Sequence, residues 1–309
     1  MVYSSFAEVL EQLRSSAGAR IRVSVAVAAD WEILDALKYA AEQGLAQGIL
    51  VGDEPKILEL AKELDWDLSG FEIIHQPDPI LASRQAVAQV RLGRANSLMK
   101  GQVNTSDFMR AVLDKVEGIR GRGIVSHLTI LEIPGCRELL FISDAGIIEA
   151  PTLDEKKQIL NNALDYMRSI GYDRPKVAVV AANEQVSSKN PVTVEARQLQ
   201  ELAEQAEFGE ADVAGPYALD IAVDLKSAEL KGIEGPVAGQ AQLLLVPNIE
   251  AGNLLAKALL YYAGATMAGL VLGAKVPIVV VSRAAAKDFK IVSMAMSALP
   301  SLRDGNSEF

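Results

Sequence analysis

Residues 237–283 read VAGQAQLLLVPNIEAGNLLAKALLYYAGATMAGLVLGAKVPIVVVSR, and this stretch decides the fold. It holds two short apolar runs, Leu243–Val246 and Pro277–Val281, with a helix-like segment between them. Short apolar runs bounded by Pro, Gly and polar groups read as buried strands of a parallel sheet. Pro247-Asn248-Ile249-Glu250 follows the first run and Ser282-Arg283 the second. Ligands of α/β proteins usually bind at the carboxyl ends of such strands, so an active site is expected to include this stretch.

Toward the N-terminus the pattern repeats. Strands are expected at 22–29, 48–51, 72–75 and 97–100, each leading toward a helix: 31–43, 55–64, 82–92 and 106–115. Asp30 is placed to cap the first of these helices and Gly44 to stop it. This alternation argues a parallel, doubly wound sheet. A glycine and arginine cluster, Gly118 to Gly123 with Arg120 and Arg122, reads as a linker. Beyond it, strands at 125–132 and 138–143 flank Pro134-Gly135 as an antiparallel hairpin. A long helix (151–170), a strand (176–181), a helix (191–205), a short strand ending near Pro216 and a helix from Tyr217 follow. Assigning the last strand to the first sheet gives a discontinuous first domain, 1–123 with 276–309, and an inserted second domain, 124–275.

At 309 residues the chain has the length of two domains, and with half of its residues hydrophobic and a mean hydropathy of +0.18 it can bury large cores. A net charge of −10 and a pI near 4.9 argue against general affinity for nucleic acid or anionic membranes. They leave room for a local basic site. The single cysteine, Cys136, excludes an intrachain disulfide framework and a cysteine-based zinc site. The N-terminus has an amphipathic helix pattern rather than that of a signal peptide. No apolar run reaches the roughly 18 residues of a membrane span. A soluble, cytoplasmic protein is expected.

Three segments carry candidate chemistry. Leu98-Met99-Lys100-Gly101, leading through Asn104 to Thr105, is a strand, a glycine and a helix start. Free N–H groups and the helix dipole there can hold phosphate, with Lys100 adding charge; an ordinary βα turn has the same form. Ser282-Arg283 sits at a strand end, where a serine can orient a nucleophile and an arginine can bind phosphate or a developing oxyanion. A helix cap with a surface arginine fits the same spacing. Asn248, Glu250, Gly252, Asn253 and Lys257 make the third group, denser in polar side chains than a βα turn requires; a capped turn with an ion pair is its plainer reading. His75 and His127 lie in apolar strand contexts and read as satisfied core histidines. No P-loop, no GxGxxG after a strand, no Ser-His-Asp arrangement and no histidine-rich metal signature is present.

Four ordered blocks resemble one family, the phosphate acetyl- and butyryltransferases: LMKGQVNTSDFMRAVLDK (98–115), GPYALDIAV (215–223), PVAGQAQLLLVPNIEAGNLLAK (236–257) and GAKVPIVVVSRAA (273–285). LLFISDAGIIEAPTLDEKKQI (139–159) adds a weaker likeness. The wording of the first and third blocks is more similar to the butyryl branch. The resemblance implies two doubly wound α/β domains with an interdomain cleft, the plan also of isopropylmalate dehydrogenase, and a homodimer or higher homo-oligomer. It implies exchange of acyl-CoA plus phosphate with acyl phosphate plus CoA, by direct thiolate attack. CoA is then a substrate, and no cofactor is tightly bound. By the resemblance Ser282 holds the thiol sulfur, while Arg283 binds phosphate and stabilises the oxyanion. Lys100, Gly101, Thr105, Asn248, Glu250, Gly252, Asn253 and Lys257 are the candidate contacts to CoA, phosphate and the acyl group. Where the acetyl branch carries a base for the thiol, this chain has Phe289; Asp288, one residue earlier, is the candidate in its place, although one helical step turns a side chain by about 100°. Asn248 stands where the butyryl pattern has aspartate. Two other readings stay open: a metal-dependent dehydrogenase, for which Asp220 and Asp224 would be ligands, and a non-catalytic CoA-binding relative.

Overall fold

The computed structural model describes residues 2–15, 21–281 and 286–303, which fold as two compact units. One unit comprises Phe6–Gly123 with Ala268–Phe309, and the other Met1–Ser5 with Ile124–Met267.

The first unit opens with α1 (Phe6–Ser15), β1 (Ile21–Ala26), α2 (Trp31–Glu42), β2 (Ala46–Gly52), α3 (Glu54–Glu63), β3 (Phe71–His75), α4 (Pro79–Arg91), β4 (Ser97–Lys100) and α5 (Thr105–Val112). Apolar and β-branched residues make β1, and its Val23, Val25 and Ala26 are buried. Asp30 caps α2 by accepting from the Ile33 N–H at 3.1 Å, and Gly44 leaves the helix at φ +69°. β1 ends at Ala26 because Val27 turns to φ +56°, a backbone state costly for a β-branched residue.

The second unit contains β5 (Ser126–Glu132), β6 (Leu140–Ser143), α6 (Leu153–Ser169), β7 (Lys176–Val180), α7 (Pro191–Glu204), β8 (Asp212–Tyr217), α8 (Leu219–Val223), α9 (Leu225–Leu230), β9 (Leu243–Leu245) and α10 (Ile249–Tyr262). Its strand order is β5-β6-β9-β7-β8, with β5 antiparallel to β6 and the rest parallel. Ile221 of α8, Ala228 of α9 and Leu255 of α10 pack on one face with Ile142, Leu244 and Ala178 from the strands. The chain then makes β10 (Thr266–Leu272), β11 (Ile278–Val279), α11 (Lys287–Ala298) and α12 (Pro300–Arg303).

In the first unit the strand order is β3-β2-β1-β4-β11-β10, parallel except for β10. The mixed α/β plan follows the alternation in the sequence. The helix-like segment expected between the two apolar runs divides instead into α10 and β10. Gly264, at φ +67°, breaks the helix after Tyr262, and the following Thr266–Leu272 run is extended. A continuous apolar run carries no periodicity to separate helix from strand.

The chain passes from β1 outward to β2 and β3, and β4 returns to the other side of β1. That reversal makes the β1–β4 junction a topological switch point, where a crevice opens at the carboxyl ends. Backbone alone closes it: the Gly101 N–H donates to the Ala26 carbonyl at 2.8 Å and the Gln102 N–H to the Val27 carbonyl at 2.9 Å. A Cβ on Gly101 would stand 2.3 Å from the Val27 oxygen and 2.5 Å from that of Ala26. Gly101→Ala should therefore cost about 2–3 kcal/mol of stability, read from urea melts. An unchanged midpoint would show that the strands part without penalty.

Candidate active site

At the β1–β4 junction Lys100 is 6% exposed, and its ammonium donates to the carbonyls of Val103 at 3.0 Å and Gly101 at 3.3 Å. A buried ammonium so held braces the turn that leads into α5. Asn104, the cap residue of α5, makes no side-chain cap bond, and Thr105 after it is exposed. The N–H groups of that first turn face outward, as an anion site requires. Lys100, Gly101 and Thr105 are thus brought together as the sequence suggested.

Asp30 lies on the same edge. Its carboxyl is half-buried, and the loss of solvent pushes its pKa up; the Ile33 N–H pulls down, nearby Glu32 raises it further, and Lys290 opposes. Lys290 comes from α11 and is 2% exposed. Asp288 is exposed in the first turn of α11. Ser282 and Arg283, between β11 and α11 in sequence, lie outside the described residues.

In the second unit, the carboxyl ends of β6 and β9 lie side by side. Asp144, 2% exposed, follows a cis Ser143–Asp144 peptide. One carboxylate oxygen accepts from the Gly146 and Ile147 N–H groups at 2.7 and 2.9 Å, and the other from the His127 N–H at 2.8 Å. Ser143 donates to the His127 carbonyl at 2.9 Å, so the two strand ends are knotted together. Burial pushes the His127 imidazole pKa down, against a weaker upward pull from Asp144. Its Nδ1 lies 3.3 Å from the Thr129 hydroxyl. His75 differs from its expected core role: it is exposed, and its Nδ1 accepts from the Glu54 N–H at the start of α3.

The polar group on α10 resolves into separate uses. Asn248 caps the helix by accepting from the Ala251 N–H at 3.0 Å. Gly252 is buried against the Asp144 turn, where a Cβ would meet the Asp144 oxygen at 2.9 Å. Asn253 donates to the Ala145 carbonyl at 3.3 Å. Glu250 and Lys257 are exposed, and neither forms an ion pair among the described residues. The sequence missed the Asp144 knot. Its signal was an aspartate directly after an apolar strand and two residues before a glycine, the form of an Asx turn.

Asp220 and Asp224 are also engaged in the fold. Asp220 pairs with Lys231 at 2.8 Å, which lowers its pKa, and Asp224 caps α9 through the Ser227 N–H at 2.7 Å. Among the described residues no three His, Cys, Asp or Glu side chains group closely enough to hold a metal ion.

A family profile described as "Phosphate acetyl/butaryl transferase" matches residues 80–298. The chain belongs to this family. It is a phosphate acyltransferase with short-chain acyl substrates, and the dehydrogenase reading falls with that assignment. A phosphate butyryltransferase from Clostridium beijerinckii is 38% identical over 97% of this chain and 99% of its own length. A phosphate acetyltransferase from Rhizobium meliloti is 43% identical over 85% of this chain and 84% of its own. The crystal structure of a branched-chain phosphotransacylase from Enterococcus faecalis is 28% identical, covers 91% of this chain and 98% of its own, and superposes with a TM-score of 0.81.

In this phosphate acyltransferase the Asp144 knot holds the β6 end against α10. Asp144→Ala would orphan three buried N–H groups and should cost about 3 kcal/mol or more, whereas Asp144→Asn, keeping one acceptor oxygen, should cost less. Denaturant midpoints check the ranking, and equal midpoints for both variants would contradict it.

Proposed function

We propose that the enzyme carries a butyryl or similar short acyl group between CoA and phosphate, the CoA thiolate attacking the acyl phosphate carbonyl directly. The end-to-end match to a phosphate butyryltransferase carries the reading. An acetyl preference is the second reading, favoured by the higher identity to an acetyltransferase. Phosphate sits at the Gly101–Thr105 turn and the start of α5, with Lys100 beneath it. Arg283 binds the transferring phosphate and stabilises the oxyanion, and Ser282 orients the sulfur. Glu250 and Lys257 are the exposed α10 residues left for ligand. CoA enters and leaves as a substrate, without a tightly held cofactor, and the reaction belongs to the cytoplasm.

The enzyme also works as a homodimer in this reading. Leu254, Ala258, Tyr261 and Tyr262 form one stripe along α10; Leu254 is 69% exposed, Tyr261 76% and Tyr262 93%. Leu230 of α9, on the same side of the unit, is 78% exposed. Two aromatic rings and leucines on one helix face suit the core of an interface between identical copies. A Leu254→Glu/Tyr261→Glu double variant should run as a monomer by light scattering; a dimer of unchanged tightness would remove this face from the interface.

The reaction is tested by phosphate- or arsenate-dependent CoA release from acetyl-, propionyl-, butyryl- and valeryl-CoA. A maximum at butyryl-CoA is expected; a maximum at acetyl-CoA would select the second reading. No release from any of them would indicate a CoA-binding relative without this activity. Arg283→Ala should lower kcat by about 10²–10³-fold while CoA still binds. Near-full turnover would remove Arg283 from the mechanism.

A further inference from the structure

We propose that Asp30 is the group that takes the proton from the CoA thiol. The inference rests on the direct-attack reading above and adds the base that reading lacks.

Asp30 stands at the carboxyl end of β1, on the switch-point edge. The loop that carries it is sewn to the Lys100–Val103 turn through the Ala26 and Val27 carbonyls, which accept from Gly101 and Gln102. Asp30 and the phosphate-binding turn therefore keep a fixed relation. From the other side, the first turns of α11 lie along α2: Lys287 pairs with Asp35 at 2.9 Å and sits 5.2 Å from the Tyr39 ring centre. The same helix brings buried Lys290 toward Asp30. Asp288, between those two lysines, is exposed.

The chemistry suits the task. One Asp30 oxygen accepts from the Ile33 N–H, and a carboxylate has further lone pairs to accept a proton. The charged groups acting on it are Glu32 on its own helix and Lys290 from α11; Lys100, at the end of β4, is committed to the carbonyls of Gly101 and Val103. Burial and Glu32 raise its proton affinity, while Lys290 keeps the anion in place. A base works best when its pKa approaches the working pH, and an ordinary carboxylate lies far below a thiol near 8.5. In the step, the S–H bond breaks and its proton passes to Asp30 while sulfur bonds to the acyl carbon. The carbon–oxygen bond to phosphate then breaks, and the departing phosphate takes the proton from Asp30.

The test uses acetyl phosphate or butyryl phosphate with CoA, following thioester formation from pH 5.5 to 9.5. Asp30→Asn keeps an oxygen for the Ile33 N–H, so the cap survives and only proton acceptance is lost. Its kcat should fall about 10²-fold at pH 7 and approach the wild-type value toward pH 9.5, where the thiol ionises unaided. Asp30→Ser, which also caps, should behave alike and replaces Asn if that variant melts early. Glu32→Gln, which removes a neighbouring negative charge, should move the acid limb of kcat/KM to lower pH. A variant within about threefold of wild type at pH 7, a loss equal at all pH values, or an unmoved limb in Glu32→Gln would each overturn the assignment. Failure of the wild type to form thioester at any pH would overturn the direct-attack reading, and this assignment with it.

Discussion

The first unit depends on how closely β1 and β4 approach at their carboxyl ends. Two backbone hydrogen bonds join the Val27 region to the Gly101 turn, and no side chain fits between them. Glycine is required at Gly101 by contact, not by its φ. Val27 accepts a left-handed backbone so that its carbonyl can point at Gln102. Strained backbone of this kind persists only where the surroundings over-determine it. Here they do: parallel strands on either side and a capped helix directly after leave the loop one course. The second unit uses the same device in another form. Gly252 lets α10 rest on the Asp144 turn, whose carboxylate satisfies three N–H groups that the sheet leaves open.

Much of this was legible in the sequence because the evidence for it is local. Asp30 before an apolar helix, Gly44 after it and the SLMK-Gly step each announce themselves within a few residues. The β10 strand was hidden because a run such as MAGLVL fits a buried helix and a buried strand equally, and tertiary pairing decides. The site was legible in position but not in use. Asn248, Gly252 and Asn253 sit where ligand contacts were expected, yet each has a structural task that spacing could not show, because the partner of each lies in or beside the Asp144 turn. His75 was misread for a related reason: burial depends on what covers a strand, and nothing local reports that β3 is an edge of its sheet.

Buried cations mark where the chain holds a polar group at the expense of solvation. Lys156 is buried against Glu195, a pair that ties α6 to α7. Lys100 and Lys290 are buried at the switch-point edge of the first unit, one beneath the phosphate turn and one toward Asp30. A buried ammonium is costly unless carbonyls or anions satisfy it, and two in one neighbourhood is more than packing requires. Both stabilise negative charge at the edge where an anionic substrate would bind.

That arrangement sets opposing demands on the thiol. Positive charge lowers the thiol pKa and favours the thiolate, but it also lowers that of any carboxylate meant to accept the proton. A fully exposed carboxylate such as Asp288 has no burial to offset that effect and would be a poor match for a thiol. Asp30 escapes it because desolvation and Glu32 act against Lys290 on the same group. Its proton affinity is therefore set by the fold around it, by the depth of the β1 end and the neighbours on α2 and α11. A base in that position needs no motif beside Ser282 and Arg283, which is why Phe289 can occupy the place where the acetyl branch has a carboxylate.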